Sequence, residues 1–135
     1  MKPIPSNDLT HRVIGCAIEV HRELGPGLVE SLYGACLCDE LADAGLPFAR
    51  QRQLPVVYKN RTLSGHFQLD IIVDDALVLE IKSVHQMHPL HDAQLMTYLR
   101  LGGFPLGLIM NFNTVLMKDG VTRLLNPRGP GPSNP

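Results

Sequence analysis

The sequence predicts a mixed α/β domain in which one β-sheet is flanked by helices. Apolar residues recur with a period near 3.6 over roughly the first third of the chain, and from Pro47 onward the period changes to two. A further helical segment near residue 91 then divides the strands into two groups. Two helices, a run of strands, a helix and more strands form the order expected of one sheet covered by helices. The chain has 135 residues, which is enough for one domain with its own core.

The first two helices are predicted from their ends as well as from periodicity. Ser6 or Asn7 can cap a helix that continues to about Leu24. A Gly-Pro-Gly sequence ends it, because proline disfavours the helical conformation for the residue before it. A second helix is predicted from about Leu28 to Asp43, and Gly45 closes it. Both helices therefore precede the sheet.

The strands are predicted from alternating residues between turn sequences. They are expected over residues 47–53, 55–58, 62–63, 66–73 and 77–84. A third helix is predicted from about His91 to Leu101, followed by a buried strand over residues 104–112. Residues 115–117 and 121–125 are expected to form a last hairpin. The Pro- and Gly-rich residues 126–135 are expected to be a disordered tail, so the folded domain would span residues 1–125.

Composition and charge narrow the class of protein. The formal net charge is −1, so no overall positive field indicates a tight, non-specific binder of nucleic acid or membranes. No apolar run reaches the roughly 20 residues that a membrane-spanning helix needs, and the N-terminus lacks the apolar core of a signal peptide. The three cysteines form no CxxC pair, and no disulfide is expected. We therefore expect a cytoplasmic protein without a membrane partner.

Two charged residues interrupt the apolar strand Leu77–Val84. Side chains alternate along a strand, so Glu80 and Lys82 share one face while Ile81 points to the other. An ionised side chain on a strand buried on both faces needs a partner or a metal ion. The pair therefore indicates either a structural ion pair or a reaction centre.

The turn before this strand gives Glu80 a partner. If Asp74-Asp75-Ala76 is a three-residue connection, Asp70 lies directly opposite Glu80. The two carboxylates would then be within about 5 Å at their Cβ atoms. The other face of the two strands would be entirely apolar, formed by Leu69, Ile71, Val73, Leu77, Leu79 and Ile81.

Two opposed carboxylates repel, so the pKa of one should rise unless a cation lies between them. A hard divalent ion with oxygen ligands, such as Mg²⁺, would relieve the repulsion and keep several waters. Lys82 could then orient a water or offset charge that develops on a phosphate. The alternative is a structural cluster in which Lys82 neutralises one carboxylate.

Asp70 followed by Glu80-Ile81-Lys82 resembles the D…(D/E)xK core of the PD-(D/E)xK nuclease superfamily. Residues 27–33 read as GxxExxY, and residues 94–98 read as QxxxY, which is similar to RecB-like exonuclease domains. Over about Leu9 to Leu125 the chain also resembles a small bacterial family known as the GxxExxY proteins.

The resemblance implies a fold, an activity and a set of site residues. The fold would be a central mixed β-sheet flanked by helices, with a restriction-endonuclease-like core. The activity, if present, would be metal-dependent phosphodiester hydrolysis. Asp70 and Glu80 would bind Mg²⁺ or Mn²⁺, and Lys82 would serve the attacking water.

The two helix motifs would add three more residues. Glu30 would match an acidic residue that reaches the metal directly or through water, while Gln94 and Tyr98 would position the substrate or the water. Without the resemblance, the position of Glu30 favours a first-turn carboxylate that is stabilised by the helix dipole. Tyr33 fits the apolar face of its helix, and its hydroxyl could tether a neighbour.

Four basic residues form the only local excess of positive charge: Arg50, Arg52, Lys59 and Arg61. They could contact backbone phosphates, or they could be the solvated charges of an edge hairpin. His85, His88 and His91 raise the alternative of zinc, but their spacing crosses Pro89 and no other residue completes a tetrahedral set. His91 could instead cap the third helix.

The sequence therefore supports a metal-dependent nuclease acting on DNA, with RNA as a second substrate class. A catalytically silent nuclease-fold module that binds nucleic acid or protein is the rival hypothesis, and a zinc protein is the third. Small size and sheet edges would also allow a homodimer.

Overall fold

The computed structural model describes residues 3–127. They form three α-helices, five β-strands and one short 3₁₀ helix over Met117–Gly120. The α-helices and strands are, in chain order, α1 (Asn7–Leu24), α2 (Glu30–Asp43), β1 (Phe48–Tyr58), β2 (Arg61–Val73), β3 (Leu77–Lys82), α3 (Pro89–Gly102), β4 (Leu106–Asn111) and β5 (Val121–Leu125).

The predicted mixed sheet with flanking helices is confirmed. The strand order is β1-β2-β3-β4-β5, with β3 and β4 parallel and every other pair antiparallel. The parallel pair needs a crossover connection, and α3 provides it. One face of β2 and β3 packs against α1 and α2, and the other face packs against α3. The sheet is therefore covered on both sides.

The helix ends follow the capping residues. Ser6 caps α1 because its Oγ accepts a hydrogen bond from the Leu9 N–H at 3.1 Å. α3 begins two residues earlier than predicted, with Pro89 at its first position and His88 as the capping residue. The Nδ1 of His91 accepts from the His88 N–H at 3.3 Å, so His91 takes part in the cap as expected.

The predicted strand breaks near Pro55 are absent. Residues 48–58 form one edge strand, and the register shifts between Pro55 and Val57 without ending it. Proline lacks an N–H donor, and an edge strand tolerates this because its outer side has no partner strand.

The predicted last hairpin is wrong. Residues 117–120 form the 3₁₀ helix, and β5 pairs with β4 along the register that joins Leu106 to Leu125. Gly120 explains the close return of this segment, because a Cβ there would lie 2.0 Å from the backbone oxygen of Asn111. The glycine that suggested a hairpin turn in the sequence therefore allows the 3₁₀ helix to pack closely against the backbone of Asn111.

A buried residue follows directly after the predicted boundary at residue 125. Asn126 is only 1% exposed, and its Nδ2 donates to the Phe104 oxygen at 3.0 Å. The rest of the predicted tail, residues 128–135, lies outside the described residues. Between residues 3 and 127, no helix is long and apolar enough to cross a membrane.

Candidate metal centre

The turn between β2 and β3 sets the predicted register. Ile72 pairs with Val78 and Val73 with Leu77, which confirms the pairing expected from a three-residue connection. The backbone ladder ends one pair further on. There the Asp70 Oδ2 accepts a hydrogen bond from the Ile81 N–H at 2.8 Å. The side chain of Asp70 thus takes the place of the next backbone acceptor and is held against β3.

The prediction of an uninterrupted apolar face is wrong at Leu69. Leu69 packs in the core cluster under α3, whereas Ile71 and Val73 pack in the cluster under α1 and α2. Residues two apart on a regular strand share a face, so the alternation is broken at Asp70. The break coincides with the end of the β2–β3 ladder. It lies where the candidate site begins.

Glu80 is buried next to Asp70. Glu80 is 8% exposed, and its Oε2 has no hydrogen-bond partner among the described residues. Burial, followed by the charge and hydrogen bond of Asp70, raises the pKa of Glu80 to about 8, against a smaller opposing effect of the Lys82 ammonium. At neutral pH Glu80 therefore keeps its proton when no cation is bound. A raised pKa for one of the two carboxyl groups agrees with the expectation from the sequence, and burial contributes more to it than the charge of Asp70 does.

Lys82 does not close this cluster as a salt bridge. Over residues 3–127, ion pairs join Arg22 to Glu19 and Arg52 to Asp75, and neither involves Lys82. The structure therefore does not contain the alternative in which Lys82 forms a direct ion pair with one of the carboxylates. Lys82 is half-buried at the end of β3, on the face that it shares with Glu80.

The oxygens of Asp70 and Glu80 fit a hard divalent cation. The buried Glu80 Oε2 lacks a partner, and a second carboxylate lies beside it. No group of three or more His, Cys, Asp or Glu side chains in the described part of the chain could hold a metal ion. Two carboxylates with water ligands correspond to the sparse protein coordination that Mg²⁺ accepts. The same observation removes the support for a zinc cluster built on the histidines.

Glu30 is fixed at the start of α2, close to the end of β3. Its Oε2 accepts from the Ser83 N–H at 3.2 Å, and the Ser83 Oγ donates to the Leu28 oxygen at 2.6 Å. Glu30 and Asp70 line one cavity of about 250 Å³ together with Ser31, Gly34, Arg50, Gln51, Ile71 and Ile81. Glu30 therefore shares this cavity with Asp70, whereas Glu80 does not line it, and among the described residues the three carboxylates do not form one metal-binding cluster.

The GxxExxY sequence has a structural reason at each defining position. Gly27 has φ +100°, a conformation that favours glycine. The buried Tyr33 hydroxyl donates to the Gly25 oxygen at 2.5 Å and accepts from the Leu28 N–H at 3.1 Å. Its ring stacks on Phe112 with centroids 4.6 Å apart. The loop before α2 is thereby fixed to the core, and Glu30 follows it.

The QxxxY residues contact each other on α3. The Gln94 Nε2 donates to the Tyr98 hydroxyl at 3.1 Å, and the Tyr98 ring stacks on Phe67 of β2 at 5.0 Å. Across residues 3–127, neither side chain hydrogen-bonds to Asp70, Glu80 or Lys82. Their contact with substrate or water stays a prediction.

Asn111 has a structural role beside the end of β3 that was not predicted from the sequence. It pairs with Lys82 across β3 and β4 and is 5% exposed. Its Oδ1 accepts from the Val84 N–H and its Nδ2 donates to the Val84 oxygen, both at 3.1 Å. These bonds fix the chain as it leaves β3. The available signal was a polar residue that ends a fully apolar strand.

The four basic residues do not act together. Arg50 lines the cavity with Glu30 and Asp70. Arg52 instead pairs with Asp75 at 2.8 Å, and Lys59 lies over the Tyr58 ring at the turn between β1 and β2. Arg61 follows that turn as the first residue of β2. Of these four basic residues, only Arg50 therefore lines the cavity that Glu30 and Asp70 share.

Comparison with known proteins agrees with this arrangement. Residues 7–124 match the family model of the PD-(D/E)XK nuclease superfamily. No curated protein and no solved structure matches the chain. The family match begins at the first residue of α1 and covers all three α-helices. It includes Glu30, Asp70, Glu80 and Lys82. The chain therefore belongs to the PD-(D/E)XK nuclease superfamily.

Proposed function

We propose that the protein is a metal-dependent nuclease that hydrolyses phosphodiester bonds in DNA, with RNA as the second substrate to test. One observation carries the proposal: a buried Glu80 oxygen without a partner lies beside Asp70 in a chain of a nuclease superfamily. Burying an unpaired carboxyl oxygen is costly, and a site retains such a group when it binds something.

Asp70 and Glu80 would hold Mg²⁺ or Mn²⁺, with Glu30 acting through water from the far side of the cavity. A bound divalent ion would supply Lewis-acid stabilisation of the charge that develops on the phosphate. Asp70 is already oriented by the Ile81 N–H, so it needs little rearrangement. Glu80 must lose its proton first, because its raised pKa keeps it neutral below about 8.

Lys82 would act on the water and the phosphate. Its ammonium shares a face of β3 with Glu80 and forms no ion pair among the described residues. A cation there can orient the attacking water and offset charge on the phosphate oxygens. Gln94 and Tyr98 would position the substrate from α3.

A cleavage assay tests this function. Labelled single- and double-stranded DNA and RNA would be incubated with the protein and Mg²⁺ or Mn²⁺. We expect cleavage by the wild type and its loss in Asp70→Asn and Lys82→Ala. Glu23→Gln serves as a control, since Glu23 is an exposed carboxylate on α1. Unchanged activity in both site variants would refute the mechanism.

A catalytically silent module is the second candidate function. The formal net charge of −1 and the lack of a three-carboxylate cluster in the described residues both favour it. Isothermal titration calorimetry separates the two. Millimolar Mg²⁺ or Mn²⁺ should bind the wild type but not Asp70→Asn if the site is a metal centre, and absence of binding would favour the module.

We also propose that the protein is a member of the GxxExxY family, forms a homodimer and is located in the cytoplasm. The roles of Gly27, Glu30 and Tyr33 support membership of the GxxExxY family within the superfamily. A homodimer could form along an edge strand, since β1 and β5 each pair on one side only within the described sheet. Light scattering would test the dimer, and cell fractionation would test a cytoplasmic location.

A further inference from the structure

Arg50 is placed beside the acidic cavity without being neutralised there. Its Nη2 donates to the Ser31 oxygen at 3.0 Å, and its side chain lines the cavity with Glu30 and Asp70. Within residues 3–127 no carboxylate forms an ion pair with it. A guanidinium carries five N–H donors, so one hydrogen bond leaves most of them available to a ligand.

A glycine in α2 makes room for this guanidinium. Gly34 lies in the helix interior, where glycine is less favourable than alanine. A Cβ on Gly34 would lie 3.2 Å from the Arg50 Nη2 and 3.8 Å from its Cζ. Alanine would therefore push the guanidinium by a few tenths of an ångström. The glycine is explained by the position of Arg50.

Gln51 separates Arg50 from its neighbour Arg52. The β1–β2 ladder pairs Arg50 with Ile71 and Arg52 with Leu69, so Gln51 falls opposite Asp70. Gln51 has φ +54°, a left-handed conformation that is uncommon for a residue with a side chain. Residues two apart on a strand normally share a face, but here Arg50 reaches α2 while Arg52 pairs with Asp75.

We propose that Arg50 binds a phosphate of the substrate strand at the metal centre, and that Gly34 and Gln51 hold it in position. The inference rests on the proposed nuclease function, because it assigns the ligand of that same cavity. A cavity lined by Glu30 and Asp70 repels a phosphodiester, and a cation on its wall offsets that repulsion. The planar guanidinium fork also matches two phosphate oxygens, which a lysine ammonium does not.

Arg50 and Arg52 form a matched pair for the test. Both are exposed arginines on β1, two residues apart, but only Arg50 lines the cavity. Fluorescence anisotropy would measure binding of labelled single- and double-stranded DNA, with Ca²⁺ in place of Mg²⁺ to prevent turnover. We expect Arg50→Ala and Arg50→Lys to weaken binding by about tenfold, and Arg52→Ala by less than about twofold. Loss of one phosphate contact should also reduce the salt slope by roughly one ion for Arg50→Ala.

Gly34→Ala tests placement without removing the charge. Alanine favours the helix, so thermal unfolding should occur at an unchanged or higher temperature. DNA binding should nevertheless weaken, because the new methyl group displaces Arg50. A merely structural Arg50 would not combine equal or greater stability with weaker binding. The variant also keeps the proposal testable if Arg50→Ala fails to fold.

The outcomes separate this inference from the nuclease proposal. Equal effects of Arg50→Ala and Arg52→Ala, unchanged binding in Gly34→Ala, or no DNA binding by the wild type would each overturn the role of Arg50. Binding that depends on Arg50, without cleavage in Mn²⁺, would support the role of Arg50 and refute the nuclease. Cleavage that is indifferent to Arg50 would do the reverse.

Discussion

Replacing Glu80 with glutamine should stabilise the metal-free protein increasingly as the pH rises. Glu80 is buried, and its pKa is raised from 4.5 to about 8 by burial and by Asp70. The folded protein therefore holds this proton more tightly than the unfolded chain does. The contribution of Glu80 to stability is therefore largest below pH 4.5, falls as the pH rises towards about 8, and is level above that. Glutamine cannot ionise, so the variant avoids this loss.

The magnitude follows from the two pKa values. Each pKa unit corresponds to about 1.4 kcal/mol, so a rise from 4.5 to about 8 corresponds to roughly 5 kcal/mol at most. We expect Glu80→Gln to match the wild type near pH 4 and to exceed it by several kcal/mol at pH 9. The amide keeps the shape of the protonated acid, which limits packing changes.

Urea unfolding followed by circular dichroism would measure this difference between pH 4 and 9, with EDTA present. Glu23→Gln is the matched control, because this exposed carboxylate should change stability by less than about 0.5 kcal/mol at any pH. A stability difference that does not change with pH would refute the reasoning, as would destabilisation of Glu80→Gln at pH 9. Either result would mean that the charge on Glu80 is not costly in the folded protein.

Three further perturbations have expected outcomes. Mn²⁺ binding should release about one proton below pH 8 and strengthen as the pH rises to about 8, because the metal competes with the proton on Glu80. Calorimetry in buffers of different ionisation enthalpy would detect the released proton, and identical heats of binding in these buffers would contradict the prediction. Tyr33→Phe should lower the free energy of unfolding by about 1–3 kcal/mol, since two backbone partners of the hydroxyl lose their hydrogen bond while the ring stack on Phe112 stays. A change below about 0.5 kcal/mol would contradict the stabilising role of the Tyr33 hydroxyl. Gly120→Ala should lower the unfolding temperature strongly, because its Cβ would lie 2.0 Å from a backbone oxygen. The control Gly15→Ala meets no atom within 4 Å and should be neutral or stabilising. Equal unfolding temperatures of the two variants would contradict the close approach at Gly120.

Much of the fold could be read from short stretches of sequence. The capping Ser6, the glycines after the helices and the change of period at Pro47 predict α1, α2 and the sheet, because each depends on residues within a few positions. The β2–β3 register follows from the length of one turn, and it places Asp70 against Glu80. The last hairpin was predicted wrongly, because a turn-like sequence also suits a glycine packed against a distant backbone oxygen.

The sequence by itself thus determined the secondary structure around the site and the pairing of its two carboxylates. Only the tertiary structure decided that the strand faces change at Asp70, that one Glu80 oxygen is left without a partner, and that Arg50 rather than Arg52 lines the cavity. The physical reason is range. Periodicity and turn chemistry act between near neighbours, whereas burial, charge compensation and the backbone conformation of Gln51 depend on α2 and β2 packing against β1.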